Sequence, residues 1–408
     1  MCLRPITRKI TSHGITKIVT HPCGKCLECV AQYQQDWAYR LSDEFKDWKF
    51  AYFGTFTYSN PRVPYVDVVP SDLPDNVHNF LCYQVEKIPF SSALLKARCR
   101  HDQYVDYLKP ASVLNNLSVR VPMVSKYDIQ TFFKRLRINF KRKYHYDFLF
   151  KYFVCSEYGP QTLRPHYHII IFTNEYFERV KSQVTQAYLY GDIRDFHLLK
   201  SRNGSISDAC AYVAKYCCKP PEFENPYVVA GLIPKPFRLI SKGIGRSERE
   251  RLVALANSYT KHKRGDFYGY DRKYLEWLDH QLHRLSCGKN GQIYSVKQPR
   301  YYVDKCFPQS PHYSHAYNAK KQEFEVRCTM RKNSEHMLCV AYTRLLEDRY
   351  IQLCNDKLSE LRLQFPDASD AQIIHQFELS RMQNLQERAS KKLQSFVKFY
   401  GKSFLNDF

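Results

Sequence analysis

The run Arg164-Pro165-His166-Tyr167-His168-Ile169-Ile170-Ile171-Phe172 constrains this chain more than any other segment. It is rich in β-branched and aromatic residues, and it follows a second apolar run, Phe148 to Glu157, across a turn region that contains Gly159-Pro160. Two such runs around a turn predict a hairpin of antiparallel neighbours. On a strand, residues two apart share a face. His166 and His168 therefore stand side by side and Tyr167 points away.

The flanking segments supply the rest of a frame. Val30, Trp37, Leu41, Phe45 and Trp48 recur near helical spacing and predict a helix over 26–48. Phe50 to Tyr58 is aromatic and β-branched, a buried strand. Prolines recur from Pro61 to Pro122, so 60–124 reads as a long insertion with short elements of its own. A helix starts at Ser125, whose hydroxyl can cap the chain while Asp128 sits three residues on. Its apolar stripe is Ile129, Phe132, Phe133, Leu136 and Phe140. Lys134, Arg135, Arg137, Lys141 and Arg142 form its other face, either a solvated surface or one that tracks phosphates. After the hairpin come a helix over 175–189, a strand over 192–199 and a capped helix over 205–219. The order strand, helix, strand, strand, helix, strand, helix is the split β-α-β pattern of ferredoxin-like folds with one helix added. The expected fold class is α+β, an antiparallel sheet with an N-terminal helix and a helical C-terminal extension. The expected divisions are 1–48, a cysteine-bearing segment and helix; 49–220, the core domain; 221–317, a loop-rich extension; and 318–408, a polar helical region. In that last region Met382, Leu385, Ala389, Leu393 and Phe396 line one helix face.

Charge narrows the function. Sixty-two Lys and Arg against forty Asp and Glu leave a formal +22, far beyond what solubility needs. Such a surface attracts polyanions, and nucleic acid leads them because phosphate neutralisation supplies sequence-independent affinity. No stretch approaches the roughly 20 apolar residues of a membrane-spanning helix, and no apolar run follows the basic N-terminus. Fifteen cysteines in no secreted-type framework fit a reducing cytoplasm.

Two elements carry chemistry. Paired neutral imidazoles at His166 and His168 suit a divalent cation and leave positions for substrate oxygens and water. Glu157, across the hairpin, can complete the ligand set or pair with a surface cation. The second element is the helix Ser207-Asp208-Ala209-Cys210-Ala211-Tyr212-Val213-Ala214-Lys215-Tyr216-Cys217-Cys218-Lys219. Tyr212 and Tyr216, four apart, share a face, and Lys215 and Lys219 each follow a tyrosine by three residues. A nearby ammonium and a metal-polarised phosphate favour a phenolate nucleophile. Taken alone, a strand His-x-His is more often accidental than a site, and two helix tyrosines are more often core. Near the N-terminus Cys23, Cys26 and Cys29, with His21 or Cys2 as a fourth ligand, have a spacing that suits zinc or an iron–sulfur cluster, or else pack as small hydrophobes.

In combination these residues resemble the HUH endonucleases, the superfamily of rolling-circle replication initiators, relaxases and certain transposases. His166-Tyr167-His168 is similar to the metal motif, Phe53-Gly54-Thr55-Phe56-Thr57-Tyr58 to the first motif strand, and Tyr212-Val213-Ala214-Lys215-Tyr216 to the two-tyrosine motif. Pro22-Cys23-Gly24-Lys25-Cys26-Leu27-Glu28-Cys29 and Glu157-Tyr158-Gly159 bring the chain nearer to initiators of the Microviridae, within the gokushovirus-like single-stranded DNA phages. The resemblance runs from about 20 to 220, with Ser241-Lys242-Gly243-Ile244-Gly245 beyond it. It implies metal-dependent nicking and joining of DNA through a 5′-phosphotyrosine, with Mg²⁺ or Mn²⁺ as cofactor and single-stranded and supercoiled double-stranded origin DNA as substrates. It also implies a host helicase and polymerase as partners, in the cytoplasm of a bacterial host. No Walker-type glycine loop is present, so a helicase is expected in trans. The rival readings are a non-catalytic single-stranded nucleic-acid-binding protein, or a relaxase or transposase with the same chemistry.

Overall fold

Apolar residues that alternate along strands and recur at helical spacing sort themselves here onto the two faces of one antiparallel sheet. The computed structural model describes residues 2, 6–12, 15–68, 119–159, 164–200, 207–216, 228, 233–258, 270–287, 293–307, 313–318, 323–328 and 337–397. The chain divides into two compact units, one of Met1–Gly245 with the C-terminal end from Leu393, the other Arg246–Lys392.

The first unit opens with a hairpin of β1 (Ile6–Ser12) and β2 (Ile15–His21), then α1 (Leu27–Phe45) and β3 (Phe50–Thr57). Next come the paired β4 (Tyr65–Val68) and β5 (Val119–Pro122), the described ends of the expected insertion; 69–118 lie outside the described residues. Then follow α2 (Lys126–Tyr144), β6 (Phe150–Tyr158), β7 (Pro165–Thr173), α3 (Phe177–Ala187), β8 (Ile193–Leu198), α4 (Ser207–Lys215) and β9 (Arg238–Ile240). The sheet order is β8-β3-β7-β6-β9, antiparallel throughout. With α2 between β3 and β6, and α3 between β7 and β8, this is the expected ferredoxin-like connectivity, widened by β9.

The two faces carry different helices. Tyr52, Phe56, Val154, Tyr167, Ile169 and Ile171 pack with Ile129, Phe132, Leu136 and Phe140 of α2 and Val180 and Val184 of α3. Residues of opposite parity, Ala51, Phe53, Phe153, Cys155, Ile170 and Phe172, pack with Trp37 and Leu41 of α1 and Cys210, Val213 and Ala214 of α4. Each buried phenylalanine contributes about 1.5–3 kcal/mol, against about 1 kcal/mol for a helix cap. Burial docks α2, and the Ser125 cap, accepting from Asp128 N at 3.2 Å, sets only where it begins. Gly54 lies on the α2/α3 face, where a Cβ would come within 2.8 Å of the Phe196 ring.

The phosphate-tracking reading of α2 is corrected by this arrangement. α2 lies behind the sheet, on the face away from His166 and His168. Two of its cations are engaged internally. Arg135 donates to Ala187 O at 2.9 Å and sits 4.9 Å over the Tyr190 ring, and Arg137 lies 4.6 Å over the Phe150 ring.

Tyr167, between the two histidines, serves the opposite face. Its hydroxyl accepts from Ser125 N at 2.8 Å and lies 2.9 Å from Tyr58 Oη, which donates to Asp128 at 2.8 Å. Burial, then the Asp128 charge, push its phenol well above the usual tyrosine range, so it stays a neutral partner. Replacing Tyr167 by phenylalanine keeps the shape but leaves the buried Ser125 N–H without its acceptor. The expected cost is about 1–3 kcal/mol, read as a lower urea midpoint; an unchanged midpoint would show that the hydroxyl contributes nothing.

Ser241-Lys242-Gly243-Ile244-Gly245 is a docking loop for α1. Gly245 N donates to the fully buried Glu44 at 2.8 Å, Lys151 pairs with Glu44 at 2.7 Å and donates to Gly243 O at 3.1 Å, and Arg40 donates to Ile244 O at 3.0 Å. Gly243 and Gly245 both have positive φ, 75° and 73°, which a side chain would strain.

The second unit holds α5 (Arg246–Ser258), α6 (Arg272–Gln281), the hairpin β10 (His283–Cys287) and β11 (Ile293–Lys297), and α7 (Arg300–Cys306). The hairpin β12 (Tyr313–Asn318) and β13 (Glu323–Cys328) follows, then α8 (Met337–Gln364) and α9 (Asp370–Phe396). The stretch 221–317, expected to be loop-rich, thus contains β9, three helices and most of two hairpins. Its turn-forming prolines and glycines mask short elements whose apolar residues, such as Leu252, Leu275, Leu278 and Tyr302, meet only in the folded core. Asp279 ties that core to α8 through Tyr342 Oη at 2.7 Å and Arg349 at 2.6 Å. On α9, Met382 and Leu393 remain exposed. Among the described residues no helix is long and apolar enough to cross a membrane.

Candidate metal and tyrosine centre

The centre lies on the α1/α4 face, where the odd-parity residues of β3 and β6 and the even-parity residues of β7 converge. Hairpin register sets Glu157 opposite His166 and Cys155 opposite His168, and β3 sets Thr55 opposite His168 on its other side. Glu157 Oε2 is 3.2 Å from His166 Nε2 and 3.3 Å from His168 Nε2. The other ring nitrogens are held from behind: His166 Nδ1 lies 3.2 Å from Arg164 O, and His168 Nδ1 lies 3.4 Å from Thr55 Oγ1. A proton on His166 Nδ1 donates to the carbonyl and turns the Nε2 lone pair towards Glu157. Glu157 and His168 are buried and His166 is half-buried, so the site is recessed yet open at one rim.

These three residues fit a hard or borderline divalent cation. Two imidazoles and a carboxylate are a common donor set. For bonds of about 2.1 Å, adjacent octahedral ligands stand about 3 Å apart, close to the two separations observed. Three donors leave the other positions for phosphate oxygens and water.

The tyrosines come from α4. Cys210, Val213 and Ala214 bury that helix against the sheet, which turns Tyr212 and Tyr216 to its flank. Tyr216 follows the last helical residue, its N–H closing a tight turn onto Val213 O at 3.1 Å, so the four-residue spacing still stacks the two rings, with centroids 5.3 Å apart. Tyr216 Oη donates to Tyr212 Oη at 2.8 Å. The Tyr216 ring lies 3.9 Å from the His168 ring at an interplanar angle of 23°. Tyr212 is 44% exposed, so its hydroxyl is open to a ligand. The structure therefore brings Glu157, His166, His168, Tyr212 and Tyr216 together. Lys215 is half-buried on the same helix, its carbonyl accepting from Gln34 of α1 at 3.0 Å. Lys219 lies outside the described residues.

Two further residues belong to the centre. Phe53 is its hub, with the rings of His168, His197 and Tyr212 at centroid distances of 6.1, 5.7 and 6.2 Å. Thr55 backs His168. Both sit in the strand singled out from sequence, and alternation along it was the available signal, since Phe53, Thr55 and Thr57 share one face. His197 on the edge strand β8 had no such signal.

Residues 117–221 match a family model for the viral replication-associated protein ORF2. That segment contains all five clustered residues. The chain is also similar to the replication-associated protein ORF2 of Spiroplasma virus 4, 26% identical over 235 residues, covering 55% of this chain and 55% of that protein. The chain thus spans about half the length of the curated relative it matches. No solved structure matches it. These similarities support a family of viral replication-associated proteins.

Proposed function

We propose that the chain is a rolling-circle replication initiator of the HUH type, a metal-dependent, site-specific single-strand DNA endonuclease that also rejoins strands. One observation carries the reading: two phenols joined by a hydrogen bond, one of them stacked on an imidazole of a carboxylate–histidine–histidine set. The matched family segment and the formal +22 charge support it.

Glu157, His166 and His168 would hold Mg²⁺ or Mn²⁺, which when bound orients and polarises the scissile phosphate. The phenolate oxygen of Tyr212 or Tyr216 attacks phosphorus. A P–O bond forms to tyrosine, the P–O3′ bond breaks, and the 3′-oxygen leaves with a proton. The 5′-phosphotyrosine conserves the bond energy, so a later 3′-hydroxyl can displace the tyrosine and reseal the strand without ATP. The Tyr216 hydroxyl, donating to Tyr212 Oη, stabilises negative charge there, and Lys215 and Lys219 add cations near the phenols. Two tyrosines permit a second cleavage while the first is occupied. The free 3′-end primes a host polymerase, unwinding falls to a host helicase, and the substrates are single-stranded and supercoiled origin DNA. The motif set favours the gokushovirus-like Microviridae as the source of such an initiator.

The test is covalent capture. Purified protein mixed with Mn²⁺ and single-stranded oligonucleotides tiled across the encoding genome's origin should yield a DNA-linked band on a denaturing gel with at least one of them. A chelator should abolish that band while salt-sensitive DNA binding persists. Binding with no adduct under any metal would leave the non-catalytic reading and remove this one.

A further inference from the structure

The N-terminal cysteines form a second cluster that the proposed chemistry does not use. Cys2 stands four residues before β1, Cys23 two residues after β2, Cys26 at the N-cap of α1 and Cys29 in its first turn. Their four sulfurs all lie within 4.8 Å of one another. Cys2 Sγ is 3.8 Å from Cys26 Sγ, and Cys23 Sγ is 4.0 Å from Cys29 Sγ. A tetrahedron of thiolates at the usual Zn–S distance of about 2.3 Å has edges of about 3.8 Å.

The backbone around them is arranged as a sulfur cradle. Cys26 N and Lys25 N donate to Cys23 Sγ at 3.2 and 3.5 Å, and Cys23 N donates to Cys2 Sγ at 3.2 Å. Gly24, at φ +72°, makes the turn that aims two of these N–H groups at one sulfur. Such bonds favour thiolate, the ligand form. Packing as small hydrophobes does not account for the cluster. Cys155, Cys210, Cys306, Cys339 and Cys354 are buried, whereas all four cluster cysteines are only partly so. An iron–sulfur cluster places several irons and sulfides between its thiolates and needs them farther apart. His21, the other sequence candidate for fourth ligand, is exposed, and Cys2 fills that role.

We propose that Cys2, Cys23, Cys26 and Cys29 bind one zinc ion as a tetrathiolate, a structural site separate from the histidine centre. Its ligands come from both sides of the β1–β2 hairpin and from the start of α1. A two-stranded hairpin of seven pairs is marginal by itself, and the zinc ties its open end to a helix buried against the sheet. The hairpin carries Arg8, Lys9 and Lys17 and no acid, so what the metal holds in place is a basic arm.

The test uses the full chain. Elemental analysis after exhaustive dialysis should find one zinc per chain, in the wild type and equally in a variant carrying His166→Ala and His168→Ala, and none in Cys26→Ser. Because a cysteine variant can misfold, cobalt exchange into the unaltered protein is the second measurement. It should give the visible bands of tetrahedral tetrathiolate cobalt and protect four thiols from maleimide. Reduced wild type without zinc, zinc lost from the histidine variant but kept by Cys26→Ser, iron in place of zinc, or disulfides joining these cysteines would each overturn the proposal.

Discussion

Replacing Tyr212 and Tyr216 together by phenylalanine is expected to abolish covalent capture of DNA, a loss on the order of 10³-fold or more. Each single replacement leaves one nucleophile. Phenylalanine keeps the Tyr216 ring that stacks at 3.9 Å on His168, so the change removes an oxygen and little packing. Tyr212→Phe and Tyr216→Phe should each still form an adduct with a simple oligonucleotide, yet each should fail to release closed circles, which needs two cleavages. The single changes should differ in degree. Without the Tyr216 hydroxyl, Tyr212 Oη loses a 2.8 Å donor, so Tyr216→Phe should also slow attack by Tyr212. A double variant that forms adduct at the wild-type rate would show that the nucleophile lies elsewhere.

Removing both imidazoles is expected to be as severe by a different route. His166→Ala with His168→Ala strips two of three donors and leaves Glu157 alone in a recessed pocket. Cleavage should fall by at least about 10²-fold, the scale of losing a few kcal/mol of electrostatic stabilisation at a phosphoryl centre. Excess Mn²⁺ should recover little of it, because one carboxylate cannot orient the ion. DNA affinity should change little, since the surface cations that neutralise phosphates are untouched. Glu157→Gln should sit between, weakening metal affinity while keeping the side-chain shape. Undiminished cleavage by the histidine variant would remove the metal role, and lost binding would show instead that the two rings hold the sheet together.

Much of the frame was legible in the chain because it depends on short-range periodicity. The element order from β3 to α4, the Ser125 cap and the α2 stripe all follow from neighbours within a turn or a pleat. The order alone led to the ferredoxin-like sheet. Legibility failed where burial is assembled from distant pieces. Between Pro220 and Asn318 the apolar residues of α5, α6 and α7 are few and interrupted by turn residues, and their partners include Leu338, Ala341 and Leu345 of α8. The α2 cations misled for a related reason. A charged helix face looks the same in sequence whether it faces a ligand or lies behind the sheet with its arginines over aromatic rings.

By itself the sequence determined that His166 and His168 stand together and that Tyr212 and Tyr216 stand together, since strand alternation and four-residue helical spacing need no information from elsewhere in the chain. Only the tertiary structure decided that both pairs share one face, that Glu157 and Thr55 flank the imidazoles, that α4 and not α2 covers them, and that Cys2 joins Cys23, Cys26 and Cys29. Those outcomes turn on which side of the sheet each crossover lands, on hairpin register, and on closure between residues far apart in the chain. They are settled by burying the whole core at once, which no local window contains.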